Sequence, residues 1–127
     1  MKLGDIYYFE TDKALGYDTR PKYHVYISIG DWRIDGHAFL FINKSDYGND
    51  YKIFKVDYKF FDLEYSFIGC GNVVTYDESE LKAMNPELKG RLSTEHILQL
   101  YKCVQDSERM TGHEIKLVCN SIVEFLK

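Results

Sequence analysis

The hydrophobic period of this chain changes once, and that change limits the fold more than any other feature. Up to about residue 77 apolar and polar side chains alternate with the period of two that a half-buried strand requires; beyond about residue 93 they recur with helical spacing. Tyr23, Val25, Ile27 and Ile29 alternate with Lys22, His24, Tyr26 and Ser28, which predicts one apolar face turned inward and a more polar face turned outward. Asp5–Phe9 reads as an earlier strand, and His37–Ile42, apolar on both faces, as a central one. Phe54, Val56, Tyr58 and Phe60 alternate with Lys55, Asp57 and Lys59 as a fourth strand, and Ser66–Tyr76 forms a fifth, ended by the acidic pair Asp77-Glu78. Ser93 is placed to cap a helix near 93–107, and Thr111-Gly112-His113-Glu114 has capping-box spacing for a second near 112–126. The expected architecture is mainly β with C-terminal helices, an α+β module in one domain spanning 1–127.

Composition agrees with that reading. The 127 residues are 45% apolar and 16% aromatic, enough for one real core and too few for two ordinary domains. Eleven Tyr and eight Phe favour pleated surfaces, on which flat side chains pack well. The longest apolar runs are too short to span a bilayer and the acidic start lacks a signal peptide's apolar region, which predicts a soluble, cytoplasmic protein with no membrane partner. Cys70, Cys103 and Cys119 form no Cys-x-x-Cys pair and read as reduced thiols. Cys103 and Cys119 suit small core positions. Cys70 is either a nucleophile or a residue between two glycines, Gly69 and Gly71, that allow a bulge or close packing of a strand.

Net charge is −4, spread evenly, so a nucleic-acid binder of this composition needs a local basic patch rather than a basic tail. Arg20, Lys22, Arg33 and Lys44 are the candidates. No phosphate-loop, dinucleotide, His-Glu-x-x-His or paired-Cys signature occurs, so neither a cofactor nor a metal is expected. Arg20 ends a turn-rich loop, Gly16-Tyr17-Asp18-Thr19, and precedes Pro21, whose ring fixes the backbone at the strand entry. It is either a phosphate-facing cation or a loop cation paired with Asp18. His24, on the predicted wet face, is either a base or phosphate-contact group or a plain exposed strand residue.

Taken together, Gly4-Asp5-Ile6-Tyr7, Arg20-Pro21 entering the alternating strand, Phe39–Ile42 running into Asn43-Lys44-Ser45, and Gly90-Arg91-Leu92-Ser93 before a helix resemble the MazF/PemK toxin family over about residues 3 to 106. The resemblance implies a small SH3-like β-barrel with helices, and the alternation and the later change of period predict five or six mostly antiparallel strands over about 3–77, with a helical part over about 93–126. It also implies a homodimer that cleaves single-stranded RNA without a metal and is blocked by an antitoxin protein. Arg20 before Pro21 matches the family's catalytic arginine. The family's Thr-Ser pair after the apolar strand is replaced here by Asn43-Lys44, with the hydroxyl displaced to Ser45.

Chemistry supports such a role for an arginine. As a ribose 2′-hydroxyl attacks phosphorus, charge builds on the equatorial oxygens, and a planar guanidinium donates two parallel hydrogen bonds to them. The expected catalytic set is Arg20, Ser45 and His24. Lys22, Asn43 and Lys44 are expected to hold the backbone, and Tyr17, Tyr23 or Trp32 to stack on unpaired bases. Two other readings fit the same residues: a noncatalytic barrel binding a peptide or an RNA strand, and a structural or regulatory homodimer.

Overall fold

The computed structural model describes residues 1–14, 18–29 and 36–127. These form, in chain order, β1 (Asp5–Thr11), β2 (Arg20–Ile29), β3 (His37–Asn43), β4 (Tyr51–Phe54), β5 (Tyr65–Ile68), β6 (Val74–Tyr76), α1 (Glu78–Met84), β7 (Glu87–Arg91), α2 (Thr94–Gln105) and α3 (Gly112–Leu126). The strands make one curled antiparallel sheet in the order β4-β5-β3-β2-β1-β7, with β6 also on β3. The mainly β, barrel-like α+β fold expected from the sequence is therefore present as a half-barrel with three helices. The two predicted C-terminal helices form where their caps place them: Ser93 Oγ accepts from the His96 amide, and Thr111 and Glu114 make a reciprocal capping box.

β3 is central, as its two apolar faces predict. One edge pairs with β2, and the other is shared, His37–Phe39 with β6 and Ile42–Asn43 with β5. The single strand expected over Ser66–Tyr76 is thus two strands separated at Gly69–Val73. Gly71 lies where a Cβ would meet the Arg109 guanidinium at 2.5 Å, so the break admits that side chain.

Both faces of the sheet are covered. On the first, Ile6, Val25, Ile27 and Leu40 pack beneath Leu100 and Val104 of α2 and Val118 and Ile122 of α3. Each such side chain contributes roughly 1.5–3 kcal/mol on burial. On the second, Tyr7, Phe9, Tyr26, Phe39 and Tyr76 form an aromatic cluster completed by Leu81 of α1. The wet face predicted for β2 is therefore dry at His24 and Tyr26, because the sheet curls until β6 and α1 close over it.

The fourth expected strand, Phe54–Phe60, is absent. β4 ends at Phe54, the Tyr58 amide donates back to the Phe54 carbonyl (3.2 Å), and Val56 is 77% exposed. Tyr58 and the following Phe61 are buried and Phe60 is half-buried against the same core, while Phe54 and Val56 are exposed, so the alternating residues do not share one buried face. Two elements escaped the sequence reading. α1 is started by an Asp77–Glu80 capping box within what reads as an acidic strand end. β7 has no apolar alternation; it joins β1 as an edge, fastened by Arg91 Nε donating to the buried Asp5 carboxylate at 2.7 Å. No helix among the described residues is long and apolar enough to cross a membrane.

Candidate functional site

β1 and β2 pair out to Thr11↔Arg20, so the regular ladder holds the backbone of Arg20 at the end of the sheet while its side chain stays exposed. Two residues on, Lys22 sits on the same face of β2. Its ammonium donates to the Asn43 side-chain oxygen on the neighbouring strand and lies 5.2 Å above the centre of the Phe41 ring. Two adjoining clefts of about 520 Å³ and about 240 Å³ share Arg20, Lys22, Asn43 and Tyr47 as a common wall. Tyr23, Lys44 and Asp62 complete the larger one; Lys13 and Arg109 complete the smaller.

The electrostatics of that wall follow from its cations. Burial, then the nearby Arg20 and Lys44, hold the Lys22 ammonium below its ordinary range. Among the described residues no carboxylate stands at ion-pair distance from Arg20, so the pairing with Asp18 weighed from the sequence is not made. Arg109, by contrast, is committed: it pairs with Asp50, whose side chain is fully buried, and donates to the Gly48 carbonyl at 2.9 Å.

The loop after β3 is built by its own aspartates. Asp46 Oδ1 accepts from the amides of Gly48 (2.9 Å) and Asp50 (3.1 Å), and the carboxylate of Asp50 accepts from the Tyr47 and Cys70 amides, each at 2.9 Å. Gly48 and Asn49 take the left-handed conformations that this tight path demands. The result is a fixed loop that sets Tyr47, 57% exposed, at the cleft.

Of the expected site residues, the fold brings Arg20, Lys22, Asn43 and Lys44 to one place. Ser45 is exposed on the loop but lines neither cleft. Tyr17 and Trp32 lie outside the described residues. His24 requires a correction: it is fully buried in the aromatic cluster, stacked on Phe9 with ring centres 3.8 Å apart.

The hydrogen bonds of His24 fix its tautomer. Nδ1 lies 3.0 Å from the Lys22 carbonyl, which only accepts, so Nδ1 carries the proton. Nε2 then accepts from the Tyr76 hydroxyl at 2.9 Å, and Tyr76 in turn accepts from Thr11 Oγ1 at 2.7 Å. The ring is neutral, fully partnered and held at a pKa of about 3 by burial, outweighing the bond to the Lys22 carbonyl. It cannot shuttle protons to a cleft it does not reach.

Cys70 is likewise buried, and its thiol is pushed up by its interaction with Cys103 and by burial, so it is no resting thiolate; Gly69 and Gly71 flank it in the break between β5 and β6 rather than in a strand bulge. No cluster of three or more His, Cys, Asp or Glu suited to a metal occurs among the described residues.

Sequence reasoning missed Lys13, Tyr47 and Arg109. Tyr47 carried a faint signal, an aromatic residue inside a polar turn; Arg109 carried none, since only the docking of the α2–α3 connection brings it to residues 48–50. Scanned against models of known protein families the chain matches none, and no curated protein matches it either.

Proposed function

We propose that the chain binds unpaired RNA across the wall formed by Arg20, Lys22, Asn43 and Lys44 and cleaves it without a metal, as its resemblance to the MazF/PemK toxins implies. One observation supports this above the rest: the Arg20 guanidinium has no ion-pair partner among the described residues and stands beside a partly buried lysine and a second exposed one, an arrangement with surplus positive charge at the end of a rigid sheet. In this reading Arg20 stabilises charge on the phosphorane. Lys22, whose ammonium burial and its cationic neighbours hold below its ordinary range, passes the proton, and Asn43 orients Lys22 through its side-chain oxygen. Tyr47, exposed at the cleft, offers a ring face to an unstacked base. An antitoxin would compete for the same cleft, and a second copy of the chain would complete the homodimer of the resemblance.

The test is single-turnover cleavage of an unstructured RNA in the presence of a chelator. Products ending in 2′,3′-cyclic phosphate, a rate roughly a hundredfold lower for Arg20→Ala, and little rescue by Arg20→Lys support the reading. A second reading, RNA binding without turnover, is favoured by the sealed His24 and by Ser45 lying off the clefts. RNA that is retained but uncut selects it.

A further inference from the structure

Cys70 and Cys103 come from distant parts of the chain and meet. Cys70 sits at the corner between β5 and β6, Cys103 on α2, and their sulfurs are 3.4 Å apart, both reduced. Closing that gap to a disulfide bond requires an approach of about 1.4 Å, within reach of small side-chain rotations. The surroundings hold the pair in place: the Cys70 carbonyl accepts from Ser107 Oγ at 2.6 Å, and its amide donates to Asp50 at 2.9 Å. Cys103 is only partly buried, whereas Cys70 lies beneath it, so an oxidant reaches Cys103 first.

We propose that Cys70 and Cys103 are a reversible dithiol site, oxidised by a hydroperoxide to a disulfide that clamps α2 onto the β5–β6 corner. The Cys103 thiolate attacks one peroxide oxygen and the other leaves as hydroxide, which takes up a proton to become water. The Cys70 thiol then attacks the Cys103 sulfenic sulfur, forming the S–S bond and releasing the second water. Two thiols and one hydrogen peroxide thus give one disulfide and two waters. The direction of attack follows from the contact: Cys70 donates its S–H toward Cys103, which favours charge on Cys103 and disfavours it on Cys70.

Oxidation has a structural consequence. Cys103 now donates to the Asn49 carbonyl at 2.9 Å, in the same loop that carries Tyr47. A disulfide has no proton to give, so that carbonyl loses its partner and the loop its tether to α2.

The experiment treats the full chain with hydrogen peroxide, then denatures and alkylates it. Of the three free cysteines, one should remain alkylatable, Cys119, with an intact mass lower by two hydrogens and full recovery on adding dithiothreitol. Cys70→Ser should instead yield a sulfenic acid at Cys103 that a dimedone probe traps. Three alkylatable thiols after treatment, a bridge to Cys119, or a disulfide between two chains overturns the proposal, and each is read on the wild-type protein without recourse to a variant.

Discussion

Acidification should destabilise this protein in large part through one buried ring, that of His24. In the folded chain His24 holds a pKa of about 3, against 6.5 for an unperturbed imidazole. Between those values the unfolded chain binds a proton that the native chain refuses, so the stabilising contribution is complete above the unfolded value and is lost as pH falls. The slope in that window approaches about 1.4 kcal/mol per pH unit, which makes the loss between about pH 7 and about pH 5 roughly 2 kcal/mol. The penalty has a structural source. A charged imidazole must donate from Nε2, but the Tyr76 hydroxyl already donates to that atom, and Tyr76 stays protonated because burial pushes it up to about 12. Charging His24 therefore forces the Tyr76–Thr11 hydroxyl chain to reverse while Phe9 still covers the ring. Urea unfolding followed by far-ultraviolet circular dichroism at the two pH values, for wild type and His24→Gln, measures the effect. Glutamine retains a donor for the Lys22 carbonyl and an acceptor for Tyr76 but does not titrate. Asp46 and Asp77, held below their usual range chiefly by backbone amides, contribute equally to both proteins and cancel in the comparison. The wild type should lose about 2 kcal/mol more than the variant over this range. Parallel losses in the two would refute the neutral, sealed assignment of His24.

Other perturbations have equally defined outcomes. Lys22→Met keeps the apolar stem over Phe41 and removes one cation, so RNA affinity should fall across all sequences and the slope of log affinity against log salt should flatten by about one. Gly36→Ala should lower the urea midpoint by an amount equivalent to at least about 2 kcal/mol. Its φ is +82° and an added Cβ would stand 2.3 Å from the Tyr76 carbonyl oxygen, so backbone must move; an unchanged midpoint contradicts the register of β3 on β6.

How much of this was legible depended on whether a signal was local. The helices at 93–107 and 112–126 were readable because caps and apolar stripes lie within a few residues of each other, and β3 because the unbroken apolar run Ala38–Ile42 leaves no wet face. The break of Ser66–Tyr76 was not, since it depends on Arg109, some forty residues away, filling the space over Gly71. The same limit governed the site. Arg20, Lys22, Asn43 and Lys44 flank two adjacent strands, so strand order alone assembles them. His24 misled because alternation reports only that a residue faces away from the first core. It does not reveal a second core, built here from Tyr7, Phe9, Phe39 and Tyr76 and closed by a short helix with one buried side chain, Leu81.

The central claim is that unpaired RNA is held at the Arg20–Lys22–Asn43 wall, and amide chemical shifts test it most directly. A short, unstructured, non-cleavable RNA, with the 2′-hydroxyls replaced by methoxy groups, is titrated into isotope-labelled protein at low salt. The account predicts saturable shifts concentrated at Arg20, Lys22 and Tyr23 of β2 and at Asn43 through Tyr47, with Phe125 and Leu126 at the end of α3 undisturbed. No shifts, or shifts confined to the α2–α3 face, would contradict it.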